Sequence, residues 1–471
     1  MNPDEFRKAG YRVVDWIADY RKTIESRRVM SELKPGDIRA QLPESPPDAP
    51  ESFDAILADM DRIVAPGLMN WQHPRFFGYF PSNGLLSSVL GDFFSTGLGV
   101  IGLAWQSSPA LTEVEEVAVD WLRQMLGLSA SWSGVIQDTA STSSIVALLC
   151  ARERATNHGA SRGGFQQAPV PLTVYVTAQS HSSVQKAALM AGFGHDYIRI
   201  VPHDETFAMR ADALASMIRD DRSHGMRPAV VVATIGTTTS TAFDPLDAIA
   251  TIADDEQLWL HVDAAMAGSG MILPEQRHLW QGVELADSLI VNPHKWLGAA
   301  FDCTTYFVRD PGHLVRVMST NPSYLQSSAD GAATNYRDWG LPLGRRFRAL
   351  KLWFLIREQG VSGLQARLRR DIANAKWLEE QISTTPGWRV LAPVPLQTLC
   401  VRHEPAGLEG EALDKHTLDW VARLNQSGET YLTPAMLDGR WMVRISIGAE
   451  LTERAHVEQL WMLMRQYAVA R

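Results

Sequence analysis

A chain of 471 residues with 45% hydrophobic and 21% charged content has the balance of a globular protein with apolar side chains for more than one packed core, so two or three domains are expected. Its 44 Lys and Arg stand against 53 Asp and Glu, a formal charge of -9 without long blocks of one sign, which argues against nucleic acid as a partner. No apolar run approaches the roughly 18 residues of a bilayer span, and Cys150, Cys303 and Cys400 are too few and scattered for a disulfide framework or zinc knuckle, so a cytoplasmic protein with reduced core thiols and no membrane partner is expected.

The N-terminal MNPDEFRKAGYRVVDWIADYRK spaces Phe6, Val13, Val14 and Ile17 among charges, which suits an amphipathic packing helix better than a cleavable signal. The following LPESPPDAP cannot sustain helix, because proline lacks an amide donor and fixes φ. Residues 1–82 therefore read as a helical arm. From 83 to 368, the β-rich runs LTVYV, YIRIV, AVVVAT, LWLHV, SLIV and TTYFV alternate with helical stretches, which predicts a large α/β domain around a mostly parallel sheet. The stretch GGFQQAPVPL within it is too short to separate independent domains. Beyond a long helical run ending near EEQI, LQTLCVR and RWMVRISIG are strand candidates and VEQLWMLMRQYAV is a closing helix. Residues 369–471 thus read as a smaller α+β domain.

Candidate chemistry gathers where these strands end. In GVIQDTASTSSIVALL an apolar strand gives way to small hydroxyl residues and then a helix, so Ala140 and Ser141 lie near a helix N-terminus, where free amides attract a phosphate. An ordinary hydroxyl N-cap accounts for that stretch, taken alone, about equally well. His181 follows LTVYV in AQSHSSV, placed to stack on a planar ligand, although a lone histidine is commonly structural; no metal-ligand spacing such as HExxH accompanies it, so no metal site is expected. Thr238 lies in GTTTSTAFDP after AVVVAT, a weaker signal because threonine-rich turns are common. LWLHV runs into Asp263, a carboxylate at a strand's carboxyl end, the edge of an α/β sheet where ligands bind. SLIV then ends in Asn292, Pro293, His294 and Lys295. A lysine amine for an aldehyde, an acid for a pyridine nitrogen and a cradle for a phosphate are the requirements of pyridoxal 5′-phosphate, and candidates for all three are present.

In the same order along the chain, HPRFFGYFPS, GVIQDTASTSS, the HSSV segment, HVDAAMAGS, NPHKWLG with FDC following, NPSYL and LPLGRRFRALKLW resemble the pyridoxal-phosphate enzymes that include the aromatic-L-amino-acid decarboxylases. The resemblance covers nearly the whole chain, and NPHKW is its most distinctive piece. It implies a type I pyridoxal-phosphate fold, an intertwined homodimer with shared active sites, and decarboxylation of an aromatic L-amino acid of the Dopa, tryptophan, 5-hydroxytryptophan, tyrosine or phenylalanine class. It makes Lys295 the Schiff-base lysine, Asp263 the pyridinium partner and His181 the stacked histidine, with Ala140, Ser141, Thr238, Asn292 and His294 around the cofactor. On the substrate side it implies Trp71, Tyr79, Phe80, Pro81 and Ser82 from the arm, Ile101 and Leu103 from the other subunit, and Gly344, where glycine leaves room for an indole. Tyr324 matches a loop tyrosine that resembles a proton donor, whereas phenylalanine there goes with oxygen-dependent aldehyde formation.

Two positions depart from the family pattern, Leu103 where an aromatic residue is frequent and Met266 where tyrosine is common, and both bear on substrate choice. An aminotransferase of the same fold would grip the substrate carboxylate with a small-domain arginine; Arg444 is the candidate, read here as structural. A non-catalytic protein of this fold is opposed by the residue types present at Lys295, Asp263, His181 and Tyr324.

Overall fold

The computed structural model describes residues 1–164, 170–320, 322–326 and 329–469, and of Tyr324 the backbone alone. Part of GGFQQAPVPL (165–169), Asn321 of NPSYL and the Tyr324 side chain lie outside the described residues. Two compact units are formed, one of Ser82–Ala375 with Leu391–Leu399, the other of Met1–Pro81, Lys376–Val390 and Cys400–Arg471.

The first unit is built on seven strands: β1 (Ser133–Gln137), β2 (Leu172–Thr177), β3 (Ile198–Val201), β4 (Arg227–Thr234), β5 (Trp259–Asp263), β6 (Ser288–Val291) and β7 (Thr304–Val308). They lie in the order β1-β7-β6-β5-β4-β2-β3. From β6 to β3 every pairing is parallel, and β7 runs antiparallel to both of its neighbours. Parallel strands with both faces covered need continuous apolar runs, and β4 supplies one, buried from Pro228 to Thr234. The helix Ala140–Ala155 contributes Val146, Ala147, Leu148 and Cys150 to the same core as Val174, Val176, Val230 and Val232. All six predicted β-rich runs form strands of this sheet. Cys150, Cys303 and Cys400 are buried, and burial pushes the thiols of Cys303 and Cys400 up to about 12 and that of Cys150 higher still.

The remaining strands, β8 (Trp388–Val390), β9 (Thr398–His403), β10 (Thr433–Leu437) and β11 (Arg440–Ser446), form a sheet in the order β10-β11-β9-β8. Within the second unit the N-terminal segment is laced to the C-terminal part by backbone bonds from Val29 to Gly428 (2.7 Å) and Phe77 to Tyr431 (3.0 Å). The predicted N-terminal helix is Pro3–Lys22, started by a capping box between Asn2 and Glu5. None of its residues is buried, and Phe6 is 52% exposed, so its apolar face is not covered within the single chain. Among the described residues no helix is long and apolar enough to cross a membrane.

Candidate active site

The parallel register brings the chemically distinctive residues to one edge of the large sheet. Asp263 closes β5, paired with Thr234 of β4 and Ile290 of β6. Its side chain is 5% exposed, and Oδ1 accepts the Ala265 N–H at 3.1 Å, so one carboxylate oxygen is tied to the turn beneath it.

Just past β6, the Asn292 N–H donates to the Ala265 carbonyl (2.9 Å), which joins the lysine turn to the Asp263 turn. Lys295 is half-buried in the tight turn Pro293–Leu297, where its φ of -91° and ψ of -112° break the helical run. The turn closes at Gly298 with φ +103°, a conformation L side chains avoid; a Cβ there would also lie 2.5 Å from Leu85. His294 is buried and held down to about 4, first by burial and then by the Lys295 charge. Its Nδ1 lies against the Cys303 backbone, 2.8 Å from the carbonyl and 3.1 Å from the N–H, and Nε2 faces the Asn292 amide at 3.5 Å. The Asn292 Oδ1 is buried and has no hydrogen-bond partner among the described residues.

His181 follows β2 as the N-cap of the helix Ser182–Met190. Its Nδ1 accepts the Ser183 N–H at 3.2 Å and lies 2.7 Å from the Ser183 hydroxyl, so in the neutral ring the proton sits on Nε2. Desolvation, followed by the positive charge of Lys295, lowers the His181 pKa below its usual value, and the Asp263 carboxylate opposes them. His181, Lys295 and Asp263 therefore share one electrostatic neighbourhood.

Ala140 and Ser141 are the first residues of the helix Ala140–Ala155, whose N-cap Thr139 makes no side-chain capping bond and whose first turn holds no acidic residue. Such an end presents unpaired amides and the positive pole of the helix dipole to an anion. Thr238 is half-buried in the turn after β4. That turn packs against the segment following Asp263, since a Cβ on Gly236 would lie 2.5 Å from Ala267 Cβ. The amine, carboxylate, imidazole and uncapped helix end, with the open Asn292 acceptor, fit the donor set pyridoxal phosphate requires. Among the described residues no cluster of His, Cys, Asp or Glu could hold a metal ion.

Three substrate-side candidates also meet. Backbone bonds of 2.9 and 3.0 Å pair Gly102 with Arg345, and a Cβ on Gly344 would lie 3.5 Å from Ile101 and 4.0 Å from Leu103. Within the second unit, Trp71 stacks on Tyr79 at 5.3 Å, and the Tyr79 hydroxyl lies 3.2 Å from that of Tyr431. Phe80 covers the buried Arg444 guanidinium at 3.9 Å, and Arg444 donates to the Tyr79 carbonyl. Pro81 is buried and ends one unit; Ser82, half-buried, begins the other. Tyr324 lies in the turn Ser323–Leu325. Met266 is buried, and its sulfur accepts from Gln397 Nε2 at 3.0 Å, so this position acts through packing.

Sequence reasoning missed the layer beneath Asp263. Ser288 Oγ receives the Trp259 indole N–H (2.9 Å) and contacts His261 Nδ1 (2.8 Å), while burial holds fully enclosed His261 down to about 4. The available signal was period two: His261 shares a strand face with Asp263.

The sequence matches the pyridoxal-dependent decarboxylase conserved domain over residues 35–404. It is 40% identical over 481 residues to the aromatic-L-amino-acid decarboxylase of Bos taurus, covering 99% of this chain and 97% of that one. It is 38% identical over 478 residues to the phenylacetaldehyde synthase of Arabidopsis thaliana, covering 99% and 96%. The crystal structure of Oryza sativa TDC with PLP and tryptamine superposes with a TM-score of 0.96 at 37% identity, over 99% of this chain and 98% of that one.

Proposed function

The chain belongs to the pyridoxal-dependent decarboxylase family, and on that premise we propose that it releases carbon dioxide from an aromatic L-amino acid to leave the amine, with pyridoxal 5′-phosphate held through Lys295 Nζ. The observation that carries this reading is the shared electrostatic neighbourhood of Lys295, Asp263 and His181 at the carboxyl edge of the sheet.

When bound, pyridoxal phosphate supplies an electron sink for the pair left on Cα as the carboxylate departs. Asp263 would supply the negative charge that favours a protonated ring nitrogen. His181, with Nδ1 engaged by Ser183, would lie against the cofactor ring and would offer Nε2–H to the substrate carboxylate. Ala140, Ser141, Thr238, Asn292 and His294 hold the phosphate end and its surroundings, and Tyr324 returns a proton to Cα. Trp71, Tyr79, Phe80, Pro81, Ser82, Ile101, Leu103 and Gly344 border the substrate side chain. Strong ionic binding of the departing carboxylate would stabilise the ground state and raise the barrier. Arg444, the aminotransferase candidate, lies under Phe80 and donates to the Tyr79 carbonyl, a structural engagement.

Incubation with phenylalanine, tyrosine, Dopa, tryptophan and 5-hydroxytryptophan, with and without dioxygen and a keto acid, tests the reading when carbon dioxide, amine, aldehyde and peroxide are measured together. Carbon dioxide and amine in equal amounts, indifferent to oxygen, are expected. The likeness to a phenylacetaldehyde synthase gives a second reading, aldehyde formation, which Tyr324 disfavours. Changing Tyr324→Phe is expected to divert product toward aldehyde, ammonia and hydrogen peroxide with dioxygen consumed; an unchanged amine yield would remove Tyr324 from its role.

His181 works as the neutral ring, and its lowered pKa keeps it neutral at physiological pH. Acidification protonates it, so kcat/KM is expected to fall only below the ordinary imidazole value of about 6.5. An acid limb above that value would assign the limb to another group.

The exposed apolar side chains of Leu86, Leu90, Phe93 and Phe94, with Ile101 61% exposed, support a homodimer that shares its active sites, as does the uncovered N-terminal helix. Sedimentation at twice the 52.2 kDa chain mass is the expected result, and a stable monomer would refute it. We read residues 1–82 as its arm, 83–368 as the cofactor domain, 369–471 as the small domain, and the protein as cytoplasmic.

A further inference from the structure

We propose that Arg367 and Asp371, one turn apart on the helix Ala349–Ser383, are positioning residues that clamp the backbone immediately after Lys295. The proposal rests on the assignment of Lys295 as the cofactor's anchor.

The clamp has two jaws. Arg367 Nη2 donates to the carbonyls of Trp296 (2.8 Å) and Leu297 (2.7 Å), and the Trp296 indole N–H donates to Asp371 Oδ2 (2.9 Å). Trp296, Leu297 and Asp371 are fully buried, and Arg367 is 8% exposed. The turn Pro293–Leu297 ends in carbonyls with no further helical turn to receive them, and a guanidinium presents several donors in a fixed plane to such groups. An enclosed guanidinium calls for an opposite charge, which Asp371 supplies four residues on. Arg370 Nε stands 3.7 Å from the other Asp371 oxygen. Burial raises the Asp371 carboxyl to about 6, against the opposing pull of Arg367, the Trp296 bond and Arg370.

The geometry explains why such a brace would serve the lysine. On its N-terminal side the turn is fixed by the bond from Asn292 to Ala265, and Lys295 itself sits at non-helical dihedrals. Without a hold on Trp296 and Leu297, the turn is free to relax toward regular helix and re-aim Nζ. A lysine that releases and recaptures the cofactor in each cycle needs a stem whose direction stays constant while its side chain swings. Small misplacements of reacting groups carry large rate costs.

The test needs no substrate. Apo-protein is titrated with pyridoxal phosphate, and the rates of covalent capture and release are followed by absorbance in wild type, Arg367→Lys and Asp371→Asn. Lysine keeps the charge but not the planar fork; asparagine keeps an acceptor for Trp296 but not the charge. Asp221→Asn is the control, a buried carboxylate that instead holds Tyr175 and Arg199. Both clamp variants are expected to capture cofactor about tenfold more slowly or more, the control at the wild-type rate. Unchanged rates in the folded variants would overturn the clamp, as would equal slowing in Asp221→Asn. Should Asp371→Asn fail to fold, Arg367→Lys decides the matter alone. Borohydride reduction and peptide mass analysis locate the link independently: a link elsewhere than Lys295 defeats the underlying assignment, whereas a link on Lys295 with unaffected variants defeats only the clamp.

Discussion

Lys295→Ala is expected to lower turnover by roughly 10³-fold or more, because the proposed function makes its amine the cofactor's covalent anchor. The fold is expected to survive. The turn is held by backbone bonds from Asn292 to Ala265, Lys295 to Asn292 and Gly298 to Pro293, none of which involves the side chain that alanine removes. A half-buried lysine also contributes little apolar packing to lose. Carbon dioxide release, a melting curve and the borohydride-fixed link, measured on the same preparation, give the answer. Wild-type turnover in a folded Lys295→Ala protein would end the assignment.

The second large effect belongs to Asp263. Removing a preorganised charge from the site of developing charge typically costs about 10²- to 10³-fold in rate, and that loss is expected for Asp263→Ala. Its structural contribution rests on one hydrogen bond, the Ala265 N–H accepted by Oδ1, a charge-assisted contact of about 1.5–3 kcal/mol. Asp263→Asn separates the two roles: the amide oxygen can still receive the Ala265 N–H, so stability should stay near wild type while turnover falls nearly as far as with alanine. Asparagine should also move the His181 limb to still lower pH, because Asp263 is the charge that raises the His181 pKa against burial and Lys295. Turnover close to wild type in Asp263→Asn would show that the hydrogen bond matters and the charge does not.

Both residues were visible in the sequence for the same physical reason. Strands buried on both faces read as unbroken apolar runs, and a polar residue that abruptly ends such a run, as Asp263 ends LWLHV and Asn292 ends SLIV, marks the ligand-binding edge. Short strands with weak patterning stayed hidden. In β8 only three residues form the strand, and in β10 a proline sits among half-exposed side chains, so neither carries a clear period. The long helix was legible as one run, yet Gly360 breaks it at φ +62°, and a single glycine in a helical pattern does not announce its dihedral. Contacts that join distant segments have no local signature. His261 with Ser288, Arg367 with Trp296, and Gly344 with Ile101 each bring together stretches whose neighbourhood only the fold defines. The N-terminal helix was predicted by its apolar spacing, and what the single chain does not provide is the surface that spacing was meant for.

The enclosed thiols have a practical meaning. A thiol must ionise to attack, and Cys150, Cys303 and Cys400 are both shut away and held far above neutral pH, so the native protein presents almost no thiolate to a disulfide or maleimide reagent. Each becomes reactive only when the packing around it opens. Cys150 and Cys303 belong to one compact unit and Cys400 to the other, so the order in which the three acquire label would chart which part of the protein loosens first, with no engineered reporter.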